Sequence, residues 1–517
     1  MPIKITITKL VVVLIAFLTI LVWQKTLNQA FLGEGYYYFE PQQRIITSHG
    51  INTSSIWELD NFARFMFDVL PTLFRDNFTY YFAFQIFVLI LINITFFLLI
   101  NYVTKNKILS ITATILFLAS YVGLFEMIAA GNYQRFAQRV PNIIPSLLSI
   151  FCLIKYLETK QFKYYLFSII SFAFSIFIAH FSTFLLPFLV IYTLLWAFLQ
   201  KNNITAIIRY LAISGSFILI NALIISRDVH TPHQNILVFI QERGIISIAQ
   251  QIFLQHANIV LPTFLIEKIA SIANPYTDTL IIISLPIIVL YLVGLFLILK
   301  KELKLKFKLF YLASLLTIPV LLFLNLYLGK VDAAYNIKGY TYYFIPSYYT
   351  QQVSRDLQIK GDRAYMVPSI FISILWGYLI WIFLSKNKKI YLSLTFIILF
   401  LYVLNNISLI NRNLEVIQFN SEVMKNYIAY TKSISNQFNQ NTIIVAPQPL
   451  IWPSALIRLF YGDPEMKFIS ANMKWQDDIK NVNQDDLILL DYDYRNNKVI
   501  NITNKFKNGE DIIFRGY

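Results

Sequence analysis

The sequence predicts a polytopic α-helical membrane protein with a small extracytoplasmic α/β domain at its C-terminal end. Three observations support this fold class. Of the 517 residues, 57% are hydrophobic and only 14% are charged, which is too few polar residues to cover a soluble protein of this size. Apolar runs of about 20 residues, the length that spans a bilayer, recur along the chain. After residue 410, short apolar runs alternate with polar stretches, as in a small domain with strands.

Topology follows from the distribution of lysine and arginine over the connectors. Short basic connectors alternate with long loops, and the positive-inside rule places the basic connectors in the cytoplasm. We therefore expect a cytoplasmic N-terminus, an extracytoplasmic C-terminus and a location in the cytoplasmic membrane. The net charge of +15 is explained by these connectors, so no nucleic-acid partner is predicted. The eleven predicted spans are residues 8–23, 80–101, 108–125, 141–156, 163–179, 181–199, 204–226, 279–299, 308–328, 364–384 and 390–410.

Three regions are predicted along the chain. Residues 1–280 form a membrane module with a long first outer loop (24–79) and a second one (227–278), residues 281–410 add helices around a tyrosine-rich outer loop (329–363), and residues 411–517 form the α/β tail. The first loop contains an amphipathic stretch at 57–70, and in the second loop Gly244 separates two interfacial or re-entrant pieces. In the tail we expect helices at 411–440 and 454–461 and strands near 442–446, 466–469, 486–490, 498–502 and 512–514.

The first outer loop opens with an acidic residue between two glycines, in the stretch Gly33-Glu34-Gly35-Tyr36-Tyr37. Glycine neighbours leave room for a ligand to approach the carboxylate of Glu34 closely. A carboxylate at the outer mouth of a helix bundle can act as a general base toward a hydroxyl or amine, or can hold a divalent cation. The alternative is that the acids of this loop only keep it solvated. Glu40 and Asp60 are candidates for a second acid at the same site.

This arrangement resembles the membrane module of the GT-C superfamily of glycosyltransferases, which includes protein O-mannosyltransferases and aminoarabinose transferases. The shared features are one span, a long outer loop that begins with an acid, six further spans and a second long outer loop, over about residues 1–280. The resemblance implies a polyprenyl-phosphate-linked sugar donor and a glycan, lipid or protein acceptor. It also implies that Glu34 is catalytic or linked to a divalent cation such as Mg²⁺ or Mn²⁺. Family members usually carry aspartate at this position.

A donor phosphate needs cationic partners where it meets the outer end of the bundle. Arg135 and Arg139 lie four residues apart in an outer connector, His180 lies where two spans meet, and Arg227 begins the second long loop. We predict that these four residues bind the donor phosphate. The alternative for the arginines is an ion pair with Glu126 and contact with lipid headgroups.

Two further motifs carry less weight. His230 and His233 have the spacing of metal ligands and follow Asp228, but no cysteine or third histidine accompanies them. Asp491-Tyr492-Asp493 imitates a metal-binding motif within a domain too small to be a nucleotide-sugar enzyme. His256 stands alone in the sequence.

Two other function classes stay open, a transporter or flippase of lipid-linked envelope precursors and a non-catalytic envelope protein with an outer scaffold domain. The scarcity of ionisable residues within the predicted spans favours surface chemistry over transport.

Overall fold

The chain is a helical membrane protein with a small sheet domain. In the computed structural model, the described residues are 7–31, 46–47, 50–51, 70, 73–74, 77–128, 136, 140–178, 185–199, 204–225, 235–260, 278–300, 303–327, 366–384, 389–447, 453–461, 466–471, 475–493 and 495–514. The helices of the membrane part are α1 (Ile7–Trp23), α2 (Phe78–Thr104), α3 (Lys107–Leu118), α4 (Tyr121–Ile128), α5 (Ile143–Thr159), α6 (Phe162–Ile178), α7 (Leu186–Leu199), α8 (Ile204–Ile225), α9 (Ile236–Arg243), α10 (Ile245–Val260), α11 (Asp278–Lys300), α12 (Leu305–Tyr327), α13 (Met366–Leu384) and α14 (Lys389–Ser433).

Each of the eleven predicted apolar runs falls on one or two of these helices. Within the described part of the chain, four helical stretches are long and apolar enough to cross a bilayer, and α9 with α10 makes a fifth if the bent pair is one span. Several other apolar helices are shorter than this length. The predicted span 108–125 is divided between α3 and α4, with residues 119–120 outside either helix. The figure of eleven spans stays a prediction.

One end of the helix bundle carries a cluster of basic side chains, and we call it the basic end. The carboxylate of Glu158 accepts a hydrogen bond from the Tyr102 hydroxyl (2.6 Å) and pairs with the ammonium of Lys306 (2.8 Å). These contacts bring together the ends of α2, α5 and the start of α12. Nearby, the ammonium of Lys160 donates to the hydroxyl of Tyr210. Lys160 and Lys306, which the sequence assigned to the same face of the membrane, therefore lie at the same end of the bundle.

Helices α9 and α10 meet at a sharp bend. Gly244 lies between them with a φ of +76°, a backbone conformation that side-chain-bearing residues rarely adopt, and its N–H caps α9 by donating to the carbonyl of Ile240. The two helix axes differ in direction by 89°. The predicted interruption at Gly244 is confirmed, and α10 packs mainly against α11 and α12.

Helix α14 is one continuous helix of 45 residues, where the sequence predicted a membrane span ending at 410 and a separate polar helix from 411 to 440. The change from apolar to polar composition does not end the helix because no glycine or proline occurs between residues 389 and 433. At 1.5 Å per residue the helix is about 68 Å long, roughly twice the thickness of the hydrocarbon core. It therefore extends from the basic end well past the opposite end of the bundle.

The C-terminal domain is built on a four-stranded sheet in which the strands lie in the order β4 (Lys467–Ser470), β3 (Ile443–Ala446), β5 (Leu487–Asp493) and β6 (Lys498–Asn501). Strand β3 is parallel to both of its neighbours, β4 and β5, whereas β5 and β6 form an antiparallel hairpin. The predicted strand at 512–514 does not form, although the other four tail strands and the helix at 454–461 do. The elements are β3 (Ile443–Ala446), α15 (Ser454–Tyr461), β4 (Lys467–Ser470), α16 (Trp475–Asp478), β5 (Leu487–Asp493), β6 (Lys498–Asn501) and α17 (Thr503–Lys507), and a short hairpin, β1 (Ile46–Thr47) with β2 (Gly50–Ile51), precedes α2.

Both faces of this sheet are covered, which explains why β5 is buried along its whole length. Alternate residues of a strand point to opposite faces, so Leu487 and Leu489 join one core with Trp475 and Phe514. On the other face, Ile488, Leu490 and Tyr492 belong to the large core that continues into the membrane part. That core includes Val423, Met424 and Tyr427 of α14. The C-terminal half of α14 is thus part of the sheet domain, and we call this end of the bundle the sheet-domain end.

Candidate functional site

The seven residues that the sequence predicts for the catalytic and donor-phosphate sites lie outside the described residues: Glu34, Glu40, Asp60, Arg135, Arg139, His180 and Arg227. The structure instead shows the protein segments that lead to them. Phe31 is the last described residue before Glu34 and is completely buried. Phe136, between the two predicted arginines, is also buried and packs edge-to-face against Phe84 of α2, with ring centroids 6.4 Å apart.

The segment from Trp23 to Phe31 is fixed at the sheet-domain end of the bundle. Its first part is a 3-10 turn, Gln24–Asn28, and the indole N–H of Trp23 donates to the carbonyl of Leu118 at the end of α3 (3.1 Å). Its last residue, Phe31, contacts Phe78 and Tyr81 with ring centroids 5.2 and 4.9 Å away. Edge-to-face aromatic pairs of this kind each add about 0.5–1.5 kcal/mol beyond the burial of their surface.

Helix α14 holds the same segment from the other side. The ammonium of Lys425 donates to the carbonyl oxygen of Asn28 (2.6 Å), and the hydroxyl of Ser421 donates to the carbonyl oxygen of Ala30 (3.4 Å). The Ser421 hydroxyl thereby satisfies the carbonyl of the buried residue Ala30, where an unpaired carbonyl would be costly, and Lys425 adds a charged donor at the exposed residue Asn28. Residues 28–31 are therefore held in a position defined by both α2 and α14.

A cavity of about 410 Å³ lies beside this segment, and we call it the Lys425 pocket. It is formed by the start of α2 (Asn77, Phe78 and Thr79) and by Lys425, Ile428, Ala429 and Lys432 of α14. Two lysines seven residues apart lie on the same face of a helix, so both side chains line one cavity. The first turn of α2 contains no acidic residue, and its backbone N–H groups add partial positive charge. This combination favours an anionic ligand.

Lys425 is half-buried, and this burial changes the pKa of its ammonium group. Burial lowers the pKa of its ammonium group below the ordinary value, while the nearby carboxylate of Glu422 acts in the opposite direction. An anion in the pocket would favour the charged form of the lysine, so ligand binding and protonation of Lys425 would support each other. The pocket thus offers two lysines as cationic groups at the sheet-domain end. For the same task of binding a phosphate, the sequence had predicted three arginines and a histidine.

A second polar cluster lies deep in the membrane part, around His256 of α10. The indole N–H of Trp376 donates to His256 Nε2 (3.1 Å), and His256 Nδ1 lies 2.8 Å from the hydroxyl of Tyr291. An indole nitrogen can only donate, so Nε2 is unprotonated and the ring proton is on Nδ1, where it is donated to the tyrosine oxygen. His256 is completely buried, and its partners lie midway along α11 and α13. The cluster fixes a neutral histidine near the middle of the bundle.

The motif Asp491-Tyr492-Asp493 has a structural role at the β5–β6 turn. Asp493 Oδ1 accepts hydrogen bonds from the backbone N–H groups of Arg495 and Asn496, and Oδ2 accepts one from the amide of Asn496. The Tyr492 hydroxyl donates to Asn497 Oδ1 (2.6 Å) and accepts from the amide of Asn426 on α14 (3.0 Å). The motif thus builds a hairpin and joins it to α14. In the described part of the chain, no three His, Cys, Asp or Glu side chains converge as a metal site.

Sequence reasoning missed Lys425, Lys432 and the partners of His256. The two lysines have a recognisable signal, a spacing of seven on the polar continuation of the last apolar helix, which places them on one face. The partners of His256 have no such signal, because Tyr291 and Trp376 are 35 and 120 positions away and sit within ordinary apolar runs. Only the packing of α10 against α11 and α13 brings the three side chains together.

No protein-family profile matches this chain, and no curated protein matches it significantly.

Proposed function

We propose that this protein is a membrane glycosyltransferase that moves a sugar from a polyprenyl-phosphate donor to an acceptor on the outer face of the cytoplasmic membrane. The observation that carries the proposal is the Lys425 pocket, a cationic cavity bordered by α2 and α14. It adjoins the segment that leads into Gly33-Glu34-Gly35. A phosphate group is the anion that lysine ammonium groups commonly bind in proteins.

Chain length supports a shared location for the acid and the cations. Glu34 is three positions after Phe31, and an extended chain advances at most about 3.6 Å per residue. The Cα atoms of Phe31 and Glu34 are therefore at most about 11 Å apart. Phe31 is itself packed against the start of α2. Phe78, which Phe31 contacts, also lines the Lys425 pocket.

The proposed reaction inverts the anomeric centre in a single displacement. Glu34 accepts the proton of the acceptor hydroxyl or amine while that oxygen or nitrogen forms a bond to the anomeric carbon. The bond between this carbon and the phosphate oxygen breaks, and the polyprenyl phosphate leaves as an anion. Lys425 and Lys432 stabilise the negative charge that develops on the phosphate, a contribution that is worth most where water is excluded. Arg135, Arg139, His180 and Arg227 remain predicted donor contacts.

The test is a transfer assay on purified protein in lipid nanodiscs. Undecaprenyl-phosphate carrying radiolabelled hexoses or pentoses is supplied one at a time, and release of label from the lipid is measured with and without added Mg²⁺ or Mn²⁺. We expect one donor to be consumed with label appearing in a new product or in free sugar. If no member of such a panel loses its sugar, while the same donors bind, the enzyme proposal is abandoned.

One observation favours the second candidate, a transporter or flippase of lipid-linked precursors. The bent pair α9 and α10 brings His256 to the middle of the bundle, and broken helices with polar side chains at this depth are typical of transporters. A fluorescent lipid-linked sugar reconstituted in proteoliposomes distinguishes the two functions. Transbilayer movement that requires the protein, without breakage of the sugar–phosphate bond, supports transport. Bond breakage without movement supports transfer.

A further inference from the structure

Helices α6 and α8 meet at the basic end, and we call the line along which they meet the α6–α8 seam. The Tyr165 hydroxyl of α6 donates to the Ser216 hydroxyl of α8 (2.8 Å). About 9 Å nearer the start of α8, the hydroxyl of Tyr210 accepts a hydrogen bond from the ammonium of Lys160, which lies in the turn before α6. Since both contacts join the start of one helix to the start of the other, the two helices are parallel here. The seam thus begins with a cation at the basic end.

Arg209 brings a second cation to the seam. It precedes Ser216 by seven residues, so it lies two helical turns away on the same face of α8. Its guanidinium is near enough to the Tyr156 hydroxyl of α5 to interact with it electrostatically, and Tyr156 packs against Tyr165 with ring centroids 5.4 Å apart. Arg209 is exposed, and within the described part of the chain it forms no ion pair. An arginine and a lysine from different helices therefore border one cluster of tyrosines.

Negative charge is scarce at the basic end. Among the described residues, Glu158 is the acidic side chain there, and it is paired with Lys306. The connectors on either side of the seam, residues 159–161 and 200–203, contain lysine and no acidic residue, and Glu302 in the connector before α12 stands among lysines. The charge of the two seam cations is therefore not balanced by the described acids, and an anion is the complementary partner.

The surface next to these cations faces the bilayer. From the basic end toward the sheet-domain end, the exposed side chains of both helices become apolar, with Leu166 and Ile170 on α6 and Leu211 and Leu219 on α8. Exposed aliphatic side chains of membrane helices contact hydrocarbon, whereas cations at helix ends reach the level of the lipid headgroups. An anion held by the seam cations is thus at headgroup depth, with a surface beside it that fits acyl chains.

Lys160 is held in place before any lipid arrives. Its ammonium lies 4.8 Å from the ring centroid of Tyr210 and 5.6 Å from that of Trp196. The hydrogen bond to Tyr210 uses one of the three N–H donors of the ammonium, so further donors can reach a phosphate oxygen. A side chain that is already ordered loses less entropy when it binds a ligand.

We propose that the α6–α8 seam binds an anionic glycerophospholipid of the phosphatidylglycerol class, with its phosphate between Lys160 and Arg209 and its acyl chains along the membrane-facing sides of α6 and α8. Such a lipid carries the net negative charge that a zwitterionic phosphatidylcholine lacks. The assignment does not depend on glycosyl transfer or on the Lys425 pocket. It rests on two cations from different helices, on the scarcity of acids around them and on the apolar surface beside them.

The experiment uses the full-length protein in nanodiscs with two photoactivatable lipids that carry the same diazirine acyl chain, a phosphatidylglycerol and a phosphatidylcholine. Crosslinked peptides are located by mass spectrometry, and labelling of α6 and α8 is divided by labelling at Phe396 and Phe400, which are exposed on α14 and report contact with bulk lipid. A cation near the membrane surface adds about 1 kcal/mol toward an anionic lipid, which is about five-fold. We expect the normalised labelling of the seam to be about five-fold or more higher with the phosphatidylglycerol probe. Equal values for the two probes mean contact with bulk lipid only and overturn the proposal.

A matched set of variants tests the cations themselves. Arg209→Gln is expected to lower the preference for phosphatidylglycerol at the seam about five-fold, while Arg209→Lys keeps the charge and most of the preference. Lys107→Gln removes an exposed lysine at the start of α3, at the same end of the bundle, and is expected to leave the preference unchanged. Elution as a monodisperse species checks that each variant is folded, and Lys160→Gln takes the place of Arg209→Gln if that variant fails. A preference that survives loss of the seam cation, or that falls equally in Lys107→Gln, contradicts the assignment.

Discussion

The ammonium group of Lys425 donates a hydrogen bond of 2.6 Å to the carbonyl oxygen of Asn28, although 397 positions separate the two residues in the sequence. This contact ties the C-terminal half of α14, and with it the sheet domain, to the segment that precedes Glu34. The same lysine borders the cationic pocket at the start of α2. One side chain thus links the C-terminal domain, the N-terminal helix and the proposed donor site.

Removal of this contact is expected to loosen the segment from Trp23 to Phe31. The chain has a single cysteine, so Cys152→Ser gives a cysteine-free background in which Gln29→Cys reports on a fully buried position. We expect Lys425→Met to increase the rate of maleimide labelling at position 29 several-fold, because a backbone carbonyl loses its charged donor, a hydrogen bond worth about 1.5–3 kcal/mol. Lys425→Arg retains a donor and is expected to stay close to the parent rate. Identical labelling in all three proteins would contradict the anchoring role.

Donor binding is expected to depend on the second lysine of the pocket. Lys432→Gln removes one positive charge next to the proposed phosphate, and a charge-assisted hydrogen bond of about 1.5–3 kcal/mol corresponds to a rise in donor KM of roughly 10–100-fold. The rise should shrink at high ionic strength, because salt screens charges that are open to solvent. Lys480→Gln, which changes an exposed lysine of the sheet domain paired with Asp477, is the control. An unchanged KM for the Lys432 variant argues against a phosphate site here.

Helix α13 packs closely against α3 at Gly377. A Cβ atom added at this glycine would lie 2.8 Å from the Cβ and 3.0 Å from the Cα of Ala113, so the two helix backbones would have to separate. We expect Gly377→Ala to lower stability by about 1–3 kcal/mol from overpacking, which outweighs the gain of up to about 1 kcal/mol in helix propensity. Gly215→Ala in α8 is the matched control, because nothing lies within 4 Å of its added Cβ. Thermal unfolding in detergent should rank the Gly215 variant at or above wild type.

The ion pair at the basic end is expected to stabilise the bundle. Among the described residues, Lys306→Met leaves the carboxylate of Glu158 with the Tyr102 hydroxyl as its one remaining partner, and a partly buried carboxylate without a cation costs about 1–3 kcal/mol or more. The double variant Lys306→Met with Glu158→Gln should recover part of this loss, because no uncompensated charge remains. Lys507→Met breaks the exposed pair with Asp485 and is expected to change the unfolding temperature little. A single variant as stable as wild type would show that the pair contributes nothing.

The sequence was most informative about helices and least informative about what joins them. Apolar runs located the membrane helices, and Gly244 located the bend between α9 and α10, because both signals are local. The continuity of α14 was missed because the change from apolar to polar residues was interpreted as a helix end, although Asn411 to Asn413 include no residue that breaks a helix. Four of the five strands predicted for the tail form, and the prediction of a strand at 512–514 was wrong.

The candidate site depended on contacts that no local pattern encodes. Lys425 meets Asn28, and Trp376 meets His256, only after the helices are packed. The predicted site residues all belong to connectors between apolar runs, where hydrophobic periodicity and hydropathy carry little structural information. These residues are Glu34, Arg135, Arg139, His180 and Arg227. Their roles therefore stay predictions that rest on chemistry and on the resemblance to a known superfamily.

The most direct test of the central proposal is sugar release from the donor by the Glu34→Gln variant. This substitution removes the negative charge and the proton-accepting group but keeps nearly the same size, and Glu58→Gln makes the same chemical change elsewhere in the first outer loop. We predict that Glu34→Gln lowers the rate of transfer by at least 100-fold, as expected for loss of a general base, and that Glu58→Gln retains wild-type transfer. Wild-type transfer by the Glu34→Gln variant, with normal insertion in the membrane, would contradict the account.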